Sequence, residues 1–266
     1  MSPQQMDKKG LDDNLSYYIN NKDDVSVIIY AILKNSPDAY RMDIEASAQD
    51  SLKELFLNSI KNNIIDDDDD DISVLPLSSA DERNNVIYQY DIDWPDELTS
   101  MQSMLGQPGE AVFDFSTQQI EDIRVLLVCI GNADQQIVLY KTMAPVNIFS
   151  RTGFFLKKSA TRLEEIKDDF FRVSDNFQII KVENDLYVVD LKLIEKMFGF
   201  HEVIKKEATL GMTAIEGMNI ITDIEVIKEL IGDIKYARKL TRIAKSSPVI
   251  LANIENEKII EFCKTY

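Results

Sequence analysis

The sequence predicts an α+β fold in two subdomains, 1–150 and 151–266, made of antiparallel hairpins with packed helices. Three observations predict it. Runs rich in β-branched residues come in pairs across short turns: 124–130 with 136–143 around Gly131-Asn132-Ala133-Asp134, and 177–182 with 186–191 around Glu183-Asn184-Asp185. The last third instead repeats its apolar residues at helical period, over 192–208, 222–247 and 256–264. The charge is also divided. Residues 1–150 hold 27 acidic and 10 basic residues, residues 151–266 hold 19 of each, and the net charge of −17 therefore belongs to the first half. Pro145 interrupts the strand pattern, and 147–153 is the expected boundary between the halves.

In order, 1–10 is polar and 11–20 is a short helix. VSVIIYAIL at 25–33 is a buried strand, and 40–46 is a second strand after the Ser36-Pro37-Asp38 turn. Ser47 caps a helix to about 62, with Leu52, Leu55, Phe56 and Ile60 on one face. Six consecutive aspartates at 66–71 lack the alternating ligands and glycine of a calcium loop, so they read as a solvated loop. A strand at 86–92 follows, then a short helix from Pro95 to about 105, a turn at 107–109 and a helical turn from Ser116 through 123. Past the boundary come short runs at 154–158, 163–166 and 170–173. A helix over 192–200 is interrupted by Gly199 and resumes over 201–208. A small-residue loop at 211–219 precedes the long helix 222–247, which opens on a Thr222/Glu225 capping box and is ended by Pro248.

Several function classes are disfavoured. His201 is the single histidine, so a multi-histidine metal site is impossible, and the residue reads as structural within an aromatic helix. No GxxxxGK[ST] or GxGxxG loop occurs. A metal-dependent nuclease would have to use acids such as Asp185 and Asp190 with Lys192, a pattern that hairpin turns also produce. No catalytic residue, metal or cofactor is assigned. Cys129 and Cys263 stand 134 positions apart and read as free thiols of a reducing compartment. MSPQQMDKKG lacks the apolar core of a secretory signal, and the strongest apolar run, 125–130, is too short to span a bilayer. A cytoplasmic protein without direct membrane insertion is expected.

The stretch that points to a partner is the second half of the 222–247 helix. Lys235, Arg238, Lys239, Arg242 and Lys245 fall within an arc of roughly 120° at about 100° per residue, opposite Ala237, Leu240 and Ala244. No acid interrupts them. A row of phosphates fits this face, and Lys205-Lys206 and Lys157-Lys158 are candidate extensions. No aromatic side chain is interleaved on the arc, which favours double-stranded DNA held by its backbone over stacking on single strands. The same five cations also read as an ordinary solvated face that favours its own helix C-terminus.

The run FFRVSDNFQIIKVENDLYVVDLKLIEKMFGFHEVIKKEA, from Phe170 onward, resembles the KwaB-like proteins of the Kiwa anti-phage defence system. The resemblance is clearest over roughly 160–266. It rests on paired strands around an acidic turn, an aromatic helix at 192–200, and a later helix carrying the Arg238-Lys239 pair. It implies a homo-oligomer that binds DNA, hampers phage replication and transcription without cutting, and is recruited to the inner membrane by a KwaA-like partner. The alternative is a protein-interaction module with no nucleic-acid role, docking on a membrane protein through the acidic first half.

Overall fold

The computed structural model describes residues 8–65, 72–79, 85–101, 110–143, 148–149, 156–158, 161–165, 170–217, 223–247, 250, 252 and 254–265. These fall into two compact units. One is drawn from Met6–Ile72 and Pro95–Val189, the other from Ser73–Trp94 and Asp190–Tyr266.

The first unit is built on six strands: β1 (Ser26–Leu33), β2 (Ala39–Arg41), β5 (Ile123–Gly131), β6 (Gln136–Thr142), β11 (Ile179–Val182) and β12 (Asp185–Val188). They lie in the order β2-β1-β5-β6-β11-β12, and every neighbouring pair is antiparallel. IRVLLVCIG and SVIIYAIL are apolar on both strand faces because eight of nine residues of β5 and five of eight of β1 are buried. Helix α1 (Lys8–Asn20) packs against β11, and α2 (Ala46–Ile60) packs against β1.

Both predicted hairpins form. At the first, the Asn132 side-chain oxygen accepts from the backbone N–H of Asp134 at 3.0 Å and of Gln135 at 3.1 Å. Gly131 is required there, since a Cβ would come within 2.3 Å of the Gln135 carbonyl oxygen. At the second, Glu183 takes φ 53°, the left-handed conformation a two-residue hairpin loop demands. The buried Lys181 ammonium holds that turn by donating to the Glu183 carbonyl at 2.6 Å. Because β11 pairs with β6, the sheet's hydrogen bonding crosses residue 150, and the compact units divide the chain elsewhere than the expected boundary at 147–153. Two small ladders, β7 (Ile148–Phe149) with β10 (Phe170–Phe171) and β8 (Leu156–Lys158) with β9 (Leu163–Glu165), complete this unit's strands among the described residues.

The second unit holds a parallel pair, β3 (Ser73–Pro76) with β4 (Val86–Gln89), and the helices α3 (Leu191–Met197), α4 (Phe200–Gly217), α5 (Ile224–Leu230), α6 (Ile234–Ser246) and α7 (Asn256–Thr265). Asp190 caps α3 by accepting from the Lys192 and Leu193 backbone N–H groups. Gly199, at φ +59°, ends α3 and turns the chain into α4. Phe200, Ile204, Ala208, Met212 and Ile215 form the buried stripe of α4.

Six expectations are corrected. The stretch 211–219 is helical through Gly217, because its small residues serve helix packing: a Cβ on Gly211 would sit 2.6 Å from the Ala244 Cβ of α6. The single helix over 222–247 is two helices. Gly232 and Asp233 break it, and Asp233 caps α6 by accepting from the Lys235 N–H at 2.8 Å. Ser47 lies inside α2, whose N-cap is Glu45. The strand at 40–46 stops at Arg41, and the strand at 86–92 is β4, which pairs in parallel with the unanticipated β3. The helix from Pro95 is a 3₁₀ segment, Asp96–Met101. The aspartates at 66–71, the turn at 107–109, Thr222 and Pro248 lie outside the described residues.

Candidate nucleic-acid interface

Helix α6 is seated by its apolar face. Ala237, Leu240 and Thr241 are buried against α4 and the turn Leu77–Ser79. The Thr241 hydroxyl donates to the Ala237 carbonyl at 3.0 Å and reaches the Ile204 carbonyl at 3.4 Å. This orientation fixes which cations face outward. Lys235, Lys239 and Arg242 are exposed on one side, at about 0°, 40° and −20° around the helix axis.

Arg238 does not join them. Its side chain is 10% exposed, its guanidinium donates to Glu195 of α3, and it lies 5.4 Å from the centroid of the Phe200 ring. Arg238 therefore ties α6 to α3 and α4. His201 stands beside the same carboxylate, with Nε2 3.6 Å from Glu195 Oε1. Lys245 lies within α6.

The remaining predicted residues are dispersed. Lys206 is exposed on α4. Lys205 is half-buried and lines a cavity of about 430 Å³ with Thr209, Thr213, Glu216, Lys228 and Gly232. Lys228 in that cavity donates to Glu216 and is paired with it at 2.6 Å and with Glu225 at 2.9 Å, contacts that push its pKa above the ordinary lysine value. Lys157 and Lys158 belong to β8 in the other unit, where the register sets Lys157 opposite Glu164.

One feature of the face has no counterpart in the wheel of charges. Tyr236 and Ile243 are 44% and 46% exposed, at about 100° and 80° around the axis, immediately beside Lys239. The Lys239 ammonium is 5.6 Å from the Tyr236 ring centroid. An aromatic side chain thus borders the cationic arc that the sequence spacing describes as purely basic.

Of the acids considered for a nuclease, Asp190 is engaged as the α3 cap and Asp185 stands in β12 opposite Val182. Among the described residues no group of three or more His, Cys, Asp or Glu side chains is placed to hold a metal ion. Among the same residues no helix is long and apolar enough to cross a membrane. Cys129 is a buried free thiol whose pKa burial pushes up.

The fold and this face define an α+β protein with a basic, solvent-facing helix on a helical unit. The Kiwa protein KwaB-like family matches residues 120–266, more than half of the sequence, and the chain belongs to that family. It is also 27% identical over 224 residues to Kiwa protein KwaB of Escherichia coli, covering 82% of this chain and 70% of that protein. No solved structure matches the chain. The relationship supports a role in Kiwa anti-phage defence.

Proposed function

We propose that this protein serves Kiwa defence by gripping double-stranded DNA through its phosphates, without sequence readout, and so hampers phage replication and transcription. The observation that carries the proposal is the joint exposure of Lys235, Lys239 and Arg242 on one side of α6. Three cations on one helix face, with the opposite face buried, supply backbone contacts that position a duplex but do not read bases. Lys206 is exposed in the same unit, but on the side of α4 opposite the stripe that packs against α6, and is not counted in this face. The role is binding rather than catalysis. The protein acts as a homo-oligomer in the cytoplasm, recruited to the inner membrane by a KwaA-like partner, as the family resemblance implies.

Binding to a labelled duplex of about 40 base pairs across a salt series tests this. Neutralising about three phosphates gives a log-log salt slope near −3, less steep than the −4 to −5 that five cations would give. Absence of binding at low salt overturns the proposal.

A second reading is a protein-interaction module, favoured by the 27 acidic against 10 basic residues of 1–150. It requires a partner protein to co-purify with a chain that DNA does not retain.

A further inference from the structure

We infer that the α6 face prefers DNA with an unpaired strand to intact duplex, with Tyr236 as the platform on which a base stacks and Lys239 and Lys235 as the counter-charges for the adjoining phosphates. This deepens the DNA-binding reading and rests on it. Tyr236 is a large aromatic residue, 44% exposed, at the edge of α6 between the cationic side and the buried Leu240. Ile243, two turns along and 46% exposed, continues the same strip. The buried residues of α6 are Ala237, Leu240 and Thr241, and these two side chains stay exposed beside them.

In duplex DNA the base faces are already stacked on one another, so an exposed ring has no π surface to meet and only the cations contribute. An unpaired strand offers base faces and phosphates together. A platform for it needs an aromatic ring beside a positive charge. Tyr236 and Lys239 meet that need, being three positions apart on the helix with the ammonium 5.6 Å from the ring centroid. Lys235 is adjacent in sequence to Tyr236 and exposed on the arc side. Charge selects the occupant. Lys235, Lys239 and Arg242 border the strip on one side, which fits a polyanion carrying aromatic groups. An anionic lipid surface shares the charge but supplies no ring to stack, and it serves as the competing outcome.

The test uses the full chain and three fluorescent probes: a 20-nucleotide single strand, the matching duplex of the same length and label, and anionic phospholipid vesicles. The wild type is expected to bind the single strand more tightly than the duplex. Tyr236→Ala is expected to weaken single-strand binding about 5- to 150-fold, the range for one lost base stack, and to leave duplex binding unchanged. Tyr236→Phe, which keeps the ring, is expected to restore it. Equal effects of Tyr236→Ala on both nucleic acids, or wild-type preference for duplex, overturn the inference while leaving DNA binding intact. Binding to vesicles that Tyr236→Ala abolishes, with no single-strand preference, reassigns the strip to lipid. Binding to neither nucleic acid overturns this inference and the proposed function together. Circular dichroism of each variant keeps a folding defect from passing as lost affinity.

Discussion

Replacing Arg238 with Gln separates two roles that the helix wheel merges. If the guanidinium were a DNA contact, the substitution would weaken binding and leave stability alone. The structure assigns it to the interior of its unit, donating to Glu195 and lying over Phe200. A hydrogen bond to a charged group contributes about 1.5–3 kcal/mol, and a cation–π contact adds about 0.5–1 kcal/mol. Glu195 is 29% exposed, and the buried Arg238 Nε meets no hydrogen-bond partner among the described residues, so both put the loss toward the low end. The expected destabilisation is about 2 kcal/mol, a fall in Tm of about 4–8 °C for a chain of this length. Arg238→Glu should be worse, because it sets a second carboxylate against Glu195. Lys239→Gln, on the exposed side, should leave Tm within about 0.5 kcal/mol equivalent and lower DNA affinity. Thermal melts by circular dichroism, paired with DNA titrations well below the transition, read both quantities. An Arg238→Gln protein that melts with the wild type but loses as much DNA affinity as Lys239→Gln would refute the assignment.

Three further predictions concern the supports of the site and the sheet. Gly211→Val should separate α4 from α6, because the nearest Cβ position already lies 2.6 Å from Ala244; a loss of about 1–3 kcal/mol is expected in denaturant unfolding. Asp233→Ala removes the α6 cap and should cost about 1 kcal/mol in the same assay, with Asp233→Asn retaining most of it. Burial of Lys141 pushes its pKa down to about 8, so between pH 8 and about 10.4 the unfolded chain holds a proton that the folded chain has released. Its contribution therefore raises stability with pH over that window. From about pH 8.5 it is opposed by Cys129, whose buried thiol keeps a proton that the unfolded thiol loses, so the wild type should gain stability relative to Lys141→Met across it. Above pH 10 stability should fall. Buried Tyr18 and Tyr140, with pKa values pushed up to about 12, keep protons that unfolded tyrosines lose.

What was legible in the sequence was local. The β5–β6 and β11–β12 hairpins follow from turn chemistry at Gly131-Asn132 and Glu183-Asn184, within a few residues of the strands they join. Gly199 as the interruption between α3 and α4 was equally local. The parallel pairing of β3 with β4 was not, because neighbouring strands so near in sequence ordinarily form a hairpin, and Ser73–Pro76 ends in a proline. The break at Gly232-Asp233 had its signals in place, a weak helix former followed by a capping residue, but the isoleucine repeat running through 224–234 outweighed them. At the site, periodicity set Lys235, Lys239 and Arg242 on one face, and the fold leaves all three exposed. It had no means of showing that Arg238 meets a glutamate 43 positions earlier, nor that Tyr236 remains exposed beside the arc. Both depend on which face the tertiary fold buries, and a single helix does not encode that.

On this reading α6 presents its exposed cations to DNA. The most direct measurement compares wild type with Lys235→Gln/Lys239→Gln/Arg242→Gln on the same duplex between 50 and 200 mM salt, at matched folded fraction. Wild-type affinity should fall about 40-fold over that range, and the triple variant should bind weakly with little salt dependence. A triple variant that binds with the wild-type affinity and slope would contradict the claim.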